Sequence, residues 1–274
     1  MAAVAQHEGG GSEPERLPPT QGREGQAPKK LPATDAIFAT LADKDGQPIA
    51  GGAGVEGGQV MRLSLDGKAA VKRGDYSRGG QPRGDTQAAD HHRGCQAKHV
   101  PFGLVEEDRG QWYLTFGSAF KTSDFIVDGL EEGWNDLPAE KRAEIADIHL
   151  KGDNGPDSRG VRTPFLPHLV EGADRPGNII QLLYYPPYHS KYHPIERGWG
   201  SLEQPGNGAK LVDPEAMVEG AHSMTWTGIQ PVVTLSGAVS QTGVSLSKKA
   251  MRELEASLER NPFLPKWDIL IWPA

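Results

Sequence analysis

The chain has 274 residues, of which 24% are charged and 36% apolar, and its formal net charge is −7. Its 35 glycines and 22 prolines predict long loops or an unstructured segment within one or two domains. The single cysteine, Cys95, excludes an internal disulfide framework and a cysteine-rich zinc module. No apolar run is long enough for a membrane span, and the N-terminus does not have the order of a signal peptide. We therefore expect a soluble cytoplasmic protein without a membrane partner.

The charge is distributed unevenly along the chain. Residues 67–98 carry seven Lys or Arg and three Asp, whereas residues 101–157 carry thirteen acids and five bases. A basic arm beside an acidic domain can bind nucleic acid through phosphate contacts. An exposed loop of mixed charge has the same composition, and on this feature alone it is the simpler interpretation.

The first sixty residues predict little regular structure. Residues 1–32 hold five Gly, five Pro and no aromatic residue, which predicts a disordered N-terminal segment. Residues 34–42 predict a short helix capped by Thr34 or Asp35. With the glycine-rich stretch that follows, this helix forms a lead-in region over residues 33–60.

From residue 61 onward the pattern predicts alternating strands and helices. The predicted strands are 61–66, a hairpin of 99–106 and 111–117 with Gly110 in its turn, 145–151, 178–185 and 267–273. The predicted helices are 122–136 with Thr122 or Ser123 as its cap, 138–147, 160–173, 195–203, 213–226 and 247–259. This order predicts an α/β fold with a mixed central sheet flanked by helices.

Three acids lie at similar positions in this pattern. Asp66 and Asp153 each follow a predicted strand, and Glu196 lies in the first turn of a helix that begins near Pro194. Acids at strand ends can converge at one edge of a sheet, and their hard oxygen ligands suit Mg²⁺ or Mn²⁺. Two such ions, about 3.5–4 Å apart, stabilise the attacking and the leaving oxygen of a phosphodiester displacement.

Each acid also has an ordinary structural explanation. Asp66 precedes a glycine and Asp153 precedes Asn-Gly, so both fit tight turns. Glu196 fits a helix start whose carboxylate interacts with backbone N–H groups of its own helix. Taken singly, each of these explanations is the commoner one, and only the surrounding sequence favours a metal site.

That surrounding sequence resembles a known family. YYPPYHSKYHPIERGWGSLE, residues 184–203, resembles the third acidic motif of DDE transposases. LSLDGKAAVKRGDYSRGG, residues 63–80, resembles the first-acid segment of one bacterial insertion-sequence family, the Rhodopirellula-type transposase DDE domain. Further segments of that family follow in the same order, namely HVPFGLVE, TSDFIVDGLEEGW, KGDNGPDSRGVRTPF, MTWTGIQPVV and LPKWDILIWP. The likeness runs from about residue 27 to the C-terminus.

The resemblance implies a ribonuclease-H-like catalytic domain over residues 61–274, including a C-terminal helical extension. Asp66, Asp153 and Glu196 map onto the catalytic triad and would hold Mg²⁺ or Mn²⁺, as two ions. The implied activity is cleavage of element ends and joining of the 3′-OH to target DNA. The implied partners are DNA and further copies of the chain.

Basic residues near these motifs are candidates for binding DNA phosphates. Lys191 and Arg197 flank the third acid, and Lys72, Arg73 and Arg78 lie in the basic arm. Solvated surface charge explains Lys191 and Arg197 equally well.

The family pattern is not complete in this chain. Such transposases carry an N-terminal helix-turn-helix region, which residues 1–32 cannot form, so we expect a truncated chain or a misassigned start. A second hypothesis is therefore a non-catalytic remnant that binds DNA or a partner subunit. A third is a related metal nuclease without a strand-transfer step.

Four weaker features have simpler explanations. Residues 52–57 match the dinucleotide-binding motif G-x-G-x-x-G. That motif has to follow a strand, and the sequence predicts no strand before these residues. His189 and His193 suggest zinc by their spacing, yet they lie in a proline-rich loop rather than on a helix. Ser245-x-x-Lys248 matches a Ser/Lys nucleophile pattern, but its companion motifs are absent, and Ser247 fits the cap of the last helix. Trp199 fits the core.

Overall fold

The computed structural model describes residues 31–49, 58–68, 70–72, 98–117, 121–156, 158–161, 164–174, 177–206, 214–237 and 246–273. Four sequence predictions fall outside these residues: the disorder of residues 1–30, the glycine motif at 52–57, and the basic-arm residues Arg73 and Arg78.

The strands are Gln59–Gly67 (β1), Val71–Lys72 (β2), Lys98–Glu106 (β3), Gln111–Gly117 (β4), Ile145–Asp153 (β5), Ile179–Tyr185 (β6), Val232–Ser236 (β7), Leu258–Arg260 (β8) and Asp268–Ile271 (β9). The α-helices are Thr34–Lys44 (α1), Ser123–Asp136 (α2), Ala139–Glu144 (α3), Phe165–Asp174 (α4), Pro194–Gly206 (α5), Pro214–His222 (α6) and Lys248–Leu254 (α7). Short 3₁₀ turns cover Ser190–Tyr192 and Glu255–Ser257.

The strands form one mixed sheet in the order β7-β4-β3-β1-β5-β6-β9-β8, with β2 paired to β3. Strand β3 is antiparallel to both β1 and β4, whereas β1, β5 and β6 run parallel to one another. Helices pack against the sheet, so the predicted ribonuclease-H-like α/β fold is confirmed.

Local sequence signals place the β3–β4 hairpin and helix α2. Gly110 has a φ of 71° in the hairpin turn, a conformation that glycine adopts without strain. The Thr122 hydroxyl caps α2 by accepting a hydrogen bond from the Phe125 N–H at 3.2 Å. Gly133 then lets α2 lie close to the sheet, because a Cβ there would be 2.7 Å from a Leu104 methyl carbon.

The two faces of β5 differ in character. Its apolar side chains, including Ile148 and Leu150, lie in the main core together with α2 and α4. On the opposite face the strand alternation places Asp147, His149, Lys151 and Asp153, which we call the polar face of β5.

The end of α1 and the residues after it cover the polar face of β5. Ile49 N–H donates to the Asp147 carboxylate at 2.9 Å, and Gly46 N–H donates to His149 Nδ1 at 3.2 Å. Lys151 is buried, and its Nζ lies 2.6 Å from Asp45 and 2.7 Å from Glu107. The lead-in helix is thereby attached to the central strand by hydrogen bonds and ion pairs.

The structure corrects the predicted cap of α1. Thr34 is a buried residue inside the helix, and its hydroxyl accepts a hydrogen bond from Leu31 N–H at 2.9 Å. Ala33 occupies the cap position and makes no side-chain hydrogen bond there. Neither Thr34 nor Asp35 therefore caps this helix.

Two strands near the C-terminus were not predicted. Residues 258 and 259, the end of the predicted helix 247–259, belong instead to β8, which pairs antiparallel with β9. Residues 232–236 form β7, which pairs parallel with β4. Strand β7 depends on β4, which lies far earlier in the chain, and β8 has only three residues, so the local pattern gives little signal for either strand.

Two cap and length predictions near the C-terminus have different outcomes. Ser247 caps α7 by accepting a hydrogen bond from Ala250 N–H at 3.1 Å, as predicted. Helix α6 ends at His222, four residues before the predicted end.

The described helices include none with the length and apolar character of a membrane span.

Candidate active site

Strand pairing brings the first two acids together. Strands β1 and β5 pair in parallel with Ser64 opposite Lys151. Continuing that register by two residues sets Asp66 level with Asp153 on the same face of the sheet. On its other side, Asp66 is paired with Gly103 of β3.

The third acid reaches the same edge of the sheet from a helix. Strand β6 pairs with β5 as far as Tyr185 opposite Asp153. The loop of residues 186–193 then turns into α5, which begins at Pro194 and carries Glu196 in its first turn. The positive end of the helix dipole lies at this turn and favours the ionised carboxylate.

Electrostatics shows that the three acids share one environment. Burial, together with the nearby carboxylates of Asp66 and Glu196, raises the pKa of Asp153 to about 6, and Lys121 opposes this shift. Like charges that are brought together out of water disfavour ionisation in this way. No group of three His, Cys, Asp or Glu side chains is close enough to hold a metal ion within the described ranges.

A buried tryptophan holds Asp66. Trp199 Nε1 donates a hydrogen bond to Asp66 Oδ2 at 3.0 Å, and its ring packs edge-on against Trp112 at 5.2 Å. A Cβ at Gly103 would lie 2.7 Å from Trp112 Nε1 and 3.0 Å from the Trp199 ring, so this packing needs glycine. Trp199 is a core residue, as predicted, and also a partner of the first acid.

Sequence reasoning did not identify this second role of Trp199. The available signal was its spacing, because residues three apart share a helix face and Trp199 lies three residues after Glu196.

Two lysines border the acids. Lys121, just before α2, has its Nζ 3.7 Å from Asp66 Oδ1 and donates a hydrogen bond to the Gly67 carbonyl at 3.2 Å. Lys68, directly after β1, has its Nζ 5.6 Å from the centre of the Trp199 ring. Lys121 was not a candidate from the sequence, because only the fold brings the start of α2 to the end of β1.

The two histidines suggested for zinc have separate surroundings. His193 is fully buried, its Nδ1 is 3.9 Å from Asp153 Oδ1, and its ring lies 4.7 Å from that of Tyr185. Burial lowers the pKa of His193 to about 4, so the ring is neutral at pH 7. His189 Nδ1 lies 2.8 Å from the Pro187 carbonyl oxygen, which gives that nitrogen a backbone partner.

The candidate DNA-binding residues that the structure describes lie at the surface or at the edge of the site. Lys191 is exposed, with its Nζ 4.8 Å from the centre of the Tyr192 ring. Arg197 is exposed on α5, next to Glu196. Lys72 lies on β2, and its side chain is outside the described part of the structure.

Solved structures with a similar course of the chain include a Mos1 mariner complex and a viral intasome. The Mos1 mariner paired end complex with Mn aligns with a TM-score of 0.46 and 11% identity, covering 73% of this chain and 57% of that chain. A simian T-cell lymphotropic virus intasome in complex with PP2A regulatory subunit B56 gamma aligns with a TM-score of 0.37 and 15% identity, covering 76% and 68%. This chain thus spans little more than half the length of the Mos1 chain.

Sequence comparison gives the more specific relationship. No curated protein matches the chain. The sequence profile of the Rhodopirellula transposase DDE domain matches residues 20–273, a range that includes every described strand and helix of the fold. Because this match extends over most of its length, the chain belongs to the Rhodopirellula transposase DDE domain family.

Proposed function

We propose that this chain is the catalytic domain of a metal-dependent DNA transposase, which cuts the ends of a mobile element and joins the freed 3′-OH to target DNA. The observation that carries the proposal is the convergence of Asp66, Asp153 and Glu196 at one edge of the sheet. Family membership supports the transposase assignment. The resemblance of residues 63–80 and 184–203 to acidic motifs of DDE transposases implies that these three acids are the triad.

The donor set of the site fits a divalent cation. Carboxylate oxygens are the ligands that Mg²⁺ and Mn²⁺ prefer. Burial first, and then the nearby carboxylates, raise the pKa of Asp153, and Lys121 opposes this shift only in part. A cation between the acids would favour their ionised forms. We therefore assign Asp66, Asp153 and Glu196 as the metal ligands. The binding of two ions is also part of this proposal.

The residues around the acids have distinct proposed roles. Bound divalent cations supply an activated water and stabilise charge on the attacking and leaving oxygens. Trp199 fixes the orientation of Asp66 through its indole N–H. His193, neutral and buried, fills the space beside Asp153 and excludes water there.

Positive charge at the rim of the site suits the DNA backbone. Lys191 and Arg197 are exposed on either side of Glu196, and we assign them contacts with phosphates. Transposition joins two element ends, so we also propose that further copies of the chain assemble on the DNA.

The test is cleavage of a labelled element end in Mg²⁺ or Mn²⁺. Its substrate comes from the DNA that flanks this reading frame, where inverted repeats would mark the element ends. Asp153→Asn is expected to lower the cleavage rate by at least about a thousandfold, because a ligand and a charge are lost. Asp43→Asn, on the exposed surface of α1, is the matched control and should cut at the wild-type rate.

The products separate the three hypotheses. Cut ends that also become joined to target DNA support the transposase, whereas hydrolysis without joining favours the metal nuclease. A folded wild-type chain that cuts no substrate supports the non-catalytic remnant. Full cleavage by Asp153→Asn would contradict the assignment of the triad.

A further inference from the structure

The loop between β6 and α5 displays two tyrosine rings to solvent. Tyr188 is 72% exposed and Tyr192 is 54% exposed, although Pro186, His189 and His193 of the same loop are buried. Large aromatic side chains usually bury most of their surface, so two exposed rings in one short loop offer a surface on which a ligand can stack. We refer to residues 186–193 as the tyrosine loop.

The backbone of the tyrosine loop is strained at one of these rings. Tyr188 has a φ of 65°, in the left-handed region that bulky residues rarely adopt. His189 is buried beside it, and its Nδ1 lies 2.8 Å from the Pro187 carbonyl oxygen. Backbone strain of this kind persists only where the surroundings enforce it, and it clusters at ligand-binding sites.

The Tyr192 ring packs against helix α1. Phe38 of α1 contacts both His189 and Tyr192 edge-on, with ring centres 5.4 Å and 5.0 Å apart. Lys191 Nζ lies 4.8 Å from the centre of the Tyr192 ring, so a positive charge accompanies the aromatic surface. Phe38 and His189 therefore hold the Tyr192 ring in place, and Tyr188 displays the second ring of the same loop four residues earlier.

This aromatic surface adjoins the acids. The loop starts after Tyr185, which is paired with Asp153, and it ends at His193, whose Nδ1 is 3.9 Å from the Asp153 carboxylate. Glu196 follows three residues later. A DNA strand whose phosphate lies at the acids would carry a neighbouring base past the tyrosine loop.

We propose that Tyr188 and Tyr192 form a stacking platform for an unpaired DNA base next to the scissile phosphate, with Lys191 adding positive charge for the strand. This subsite rests on the proposed function, since the acids define where the DNA strand lies. Stacking on tyrosine depends little on the DNA sequence, because every base has a π face. The platform would therefore bind unpaired purines and pyrimidines alike.

The experiment measures binding of a DNA duplex that ends in a three-nucleotide single-stranded tail containing 2-aminopurine. EDTA is present throughout, so that no cleavage occurs. Tyr188→Gly removes the ring and relieves the strained backbone, because glycine adopts a positive φ freely. We expect it to bind the tailed duplex about tenfold more weakly, to restore 2-aminopurine emission that the wild type quenches, and to melt no lower than the wild type.

Further variants exclude a general loss of structure. Tyr188→Asn also tolerates the left-handed backbone and should reproduce the loss, whereas Tyr188→Trp keeps an aromatic face and should bind at least as tightly as the wild type. Leu235→Ala, at an exposed position of the edge strand β7, which four strands separate from β6, is the surface control and should not change affinity. Binding to a blunt duplex should be equal in all variants.

Equal affinity and equal emission for the wild type and Tyr188→Gly would overturn the platform, as would an equal loss in Leu235→Ala. These binding measurements need no catalysis, so their failure is distinct from failure of the proposed function. A chain that cuts element ends in Mg²⁺ but fails the emission test would keep its transposase assignment and lose the platform.

Discussion

At the scale of single residues, the hydrogen bond from the Trp199 indole N–H helps to orient the Asp66 carboxylate. Trp199→Phe keeps the aromatic packing against Trp112 and removes the indole N–H. The carboxylate then loses a fixed donor, and we expect the cleavage rate to fall about tenfold, equivalent to about 1.4 kcal/mol. Single-turnover cleavage of a labelled end measures this effect.

The matched control for that change lies in the same aromatic cluster. Trp226 has its ring 6.5 Å from that of Trp112, and no hydrogen bond joins it to an acid among the contacts described here. Trp226→Phe should therefore leave the cleavage rate unchanged, even if the two variants lose similar thermal stability. Equal rates for Trp199→Phe and the wild type would show that this hydrogen bond does not position Asp66.

At the scale of elements, the attachment of α1 to β5 rests on a buried cation. The Lys151 side chain is 2% exposed and lies between the carboxylates of Asp45 and Glu107. Lys151→Met removes the closest cation of both acids and leaves them only the more distant Arg62, at 3.3 Å and 4.0 Å. We expect this change to lower the free energy of unfolding by about 3 kcal/mol. Urea denaturation followed by tryptophan fluorescence measures the change.

An exposed ion pair provides the comparison. Lys141 and Glu144 lie 2.8 Å apart on α3 with about half of each side chain exposed. Lys141→Met should cost at most about 0.5 kcal/mol, because solvent screens the pair. Similar losses in the two methionine variants would contradict the view that the buried cation fastens the lead-in helix.

Elements with a strong local signal were predictable from the sequence, and those defined by distant partners were not. The hairpin turn at Gly110 and the cap of α2 by Thr122 depend on residues within a few positions, and both predictions are confirmed. Strand β7 was missed because it pairs with β4, a strand from far earlier in the chain. Residues 258 and 259 of β8 were wrongly assigned to a helix, because three residues carry too little pattern to indicate a strand. The cap of α1 was also wrong, since Thr34 bonds backward to Leu31.

At the scale of the whole molecule, metal binding and folding should be linked. If the three acids hold divalent cations only in the folded state, Mn²⁺ raises stability by mass action, by about 2.7 kcal/mol at a hundredfold excess over Kd. Differential scanning fluorimetry should therefore show a melting temperature that rises with Mn²⁺ concentration. The same titration of Asp153→Asn should show little shift.

Asp43→Asn is the control for charge in general and should respond to Mn²⁺ as the wild type does. An equal rise in Asp153→Asn would mean that the stabilising ions bind somewhere other than the acids. No rise in the wild type would count against a preformed site.

The three acids of the candidate site could be predicted from the sequence, but the side chains that surround them could not. Asp66, Asp153 and Glu196 follow from their positions after strands and from the family resemblance, and they stay a prediction for catalysis. Lys121 belongs to a different element, and only the folded sheet brings it to Asp66. Such partners arise from topology, which a single sequence pattern does not contain.

The order of the acids along the chain has a consequence for synthesis on the ribosome. The β3–β4 hairpin is local and can form early, whereas the pairing of β1 with β5 joins segments separated by that hairpin and two helices. Glu196 arrives later still, on a helix that follows β6. A growing chain therefore has no complete acid cluster until Glu196 has been made, and on the proposed function a product terminated before that residue could not cut DNA.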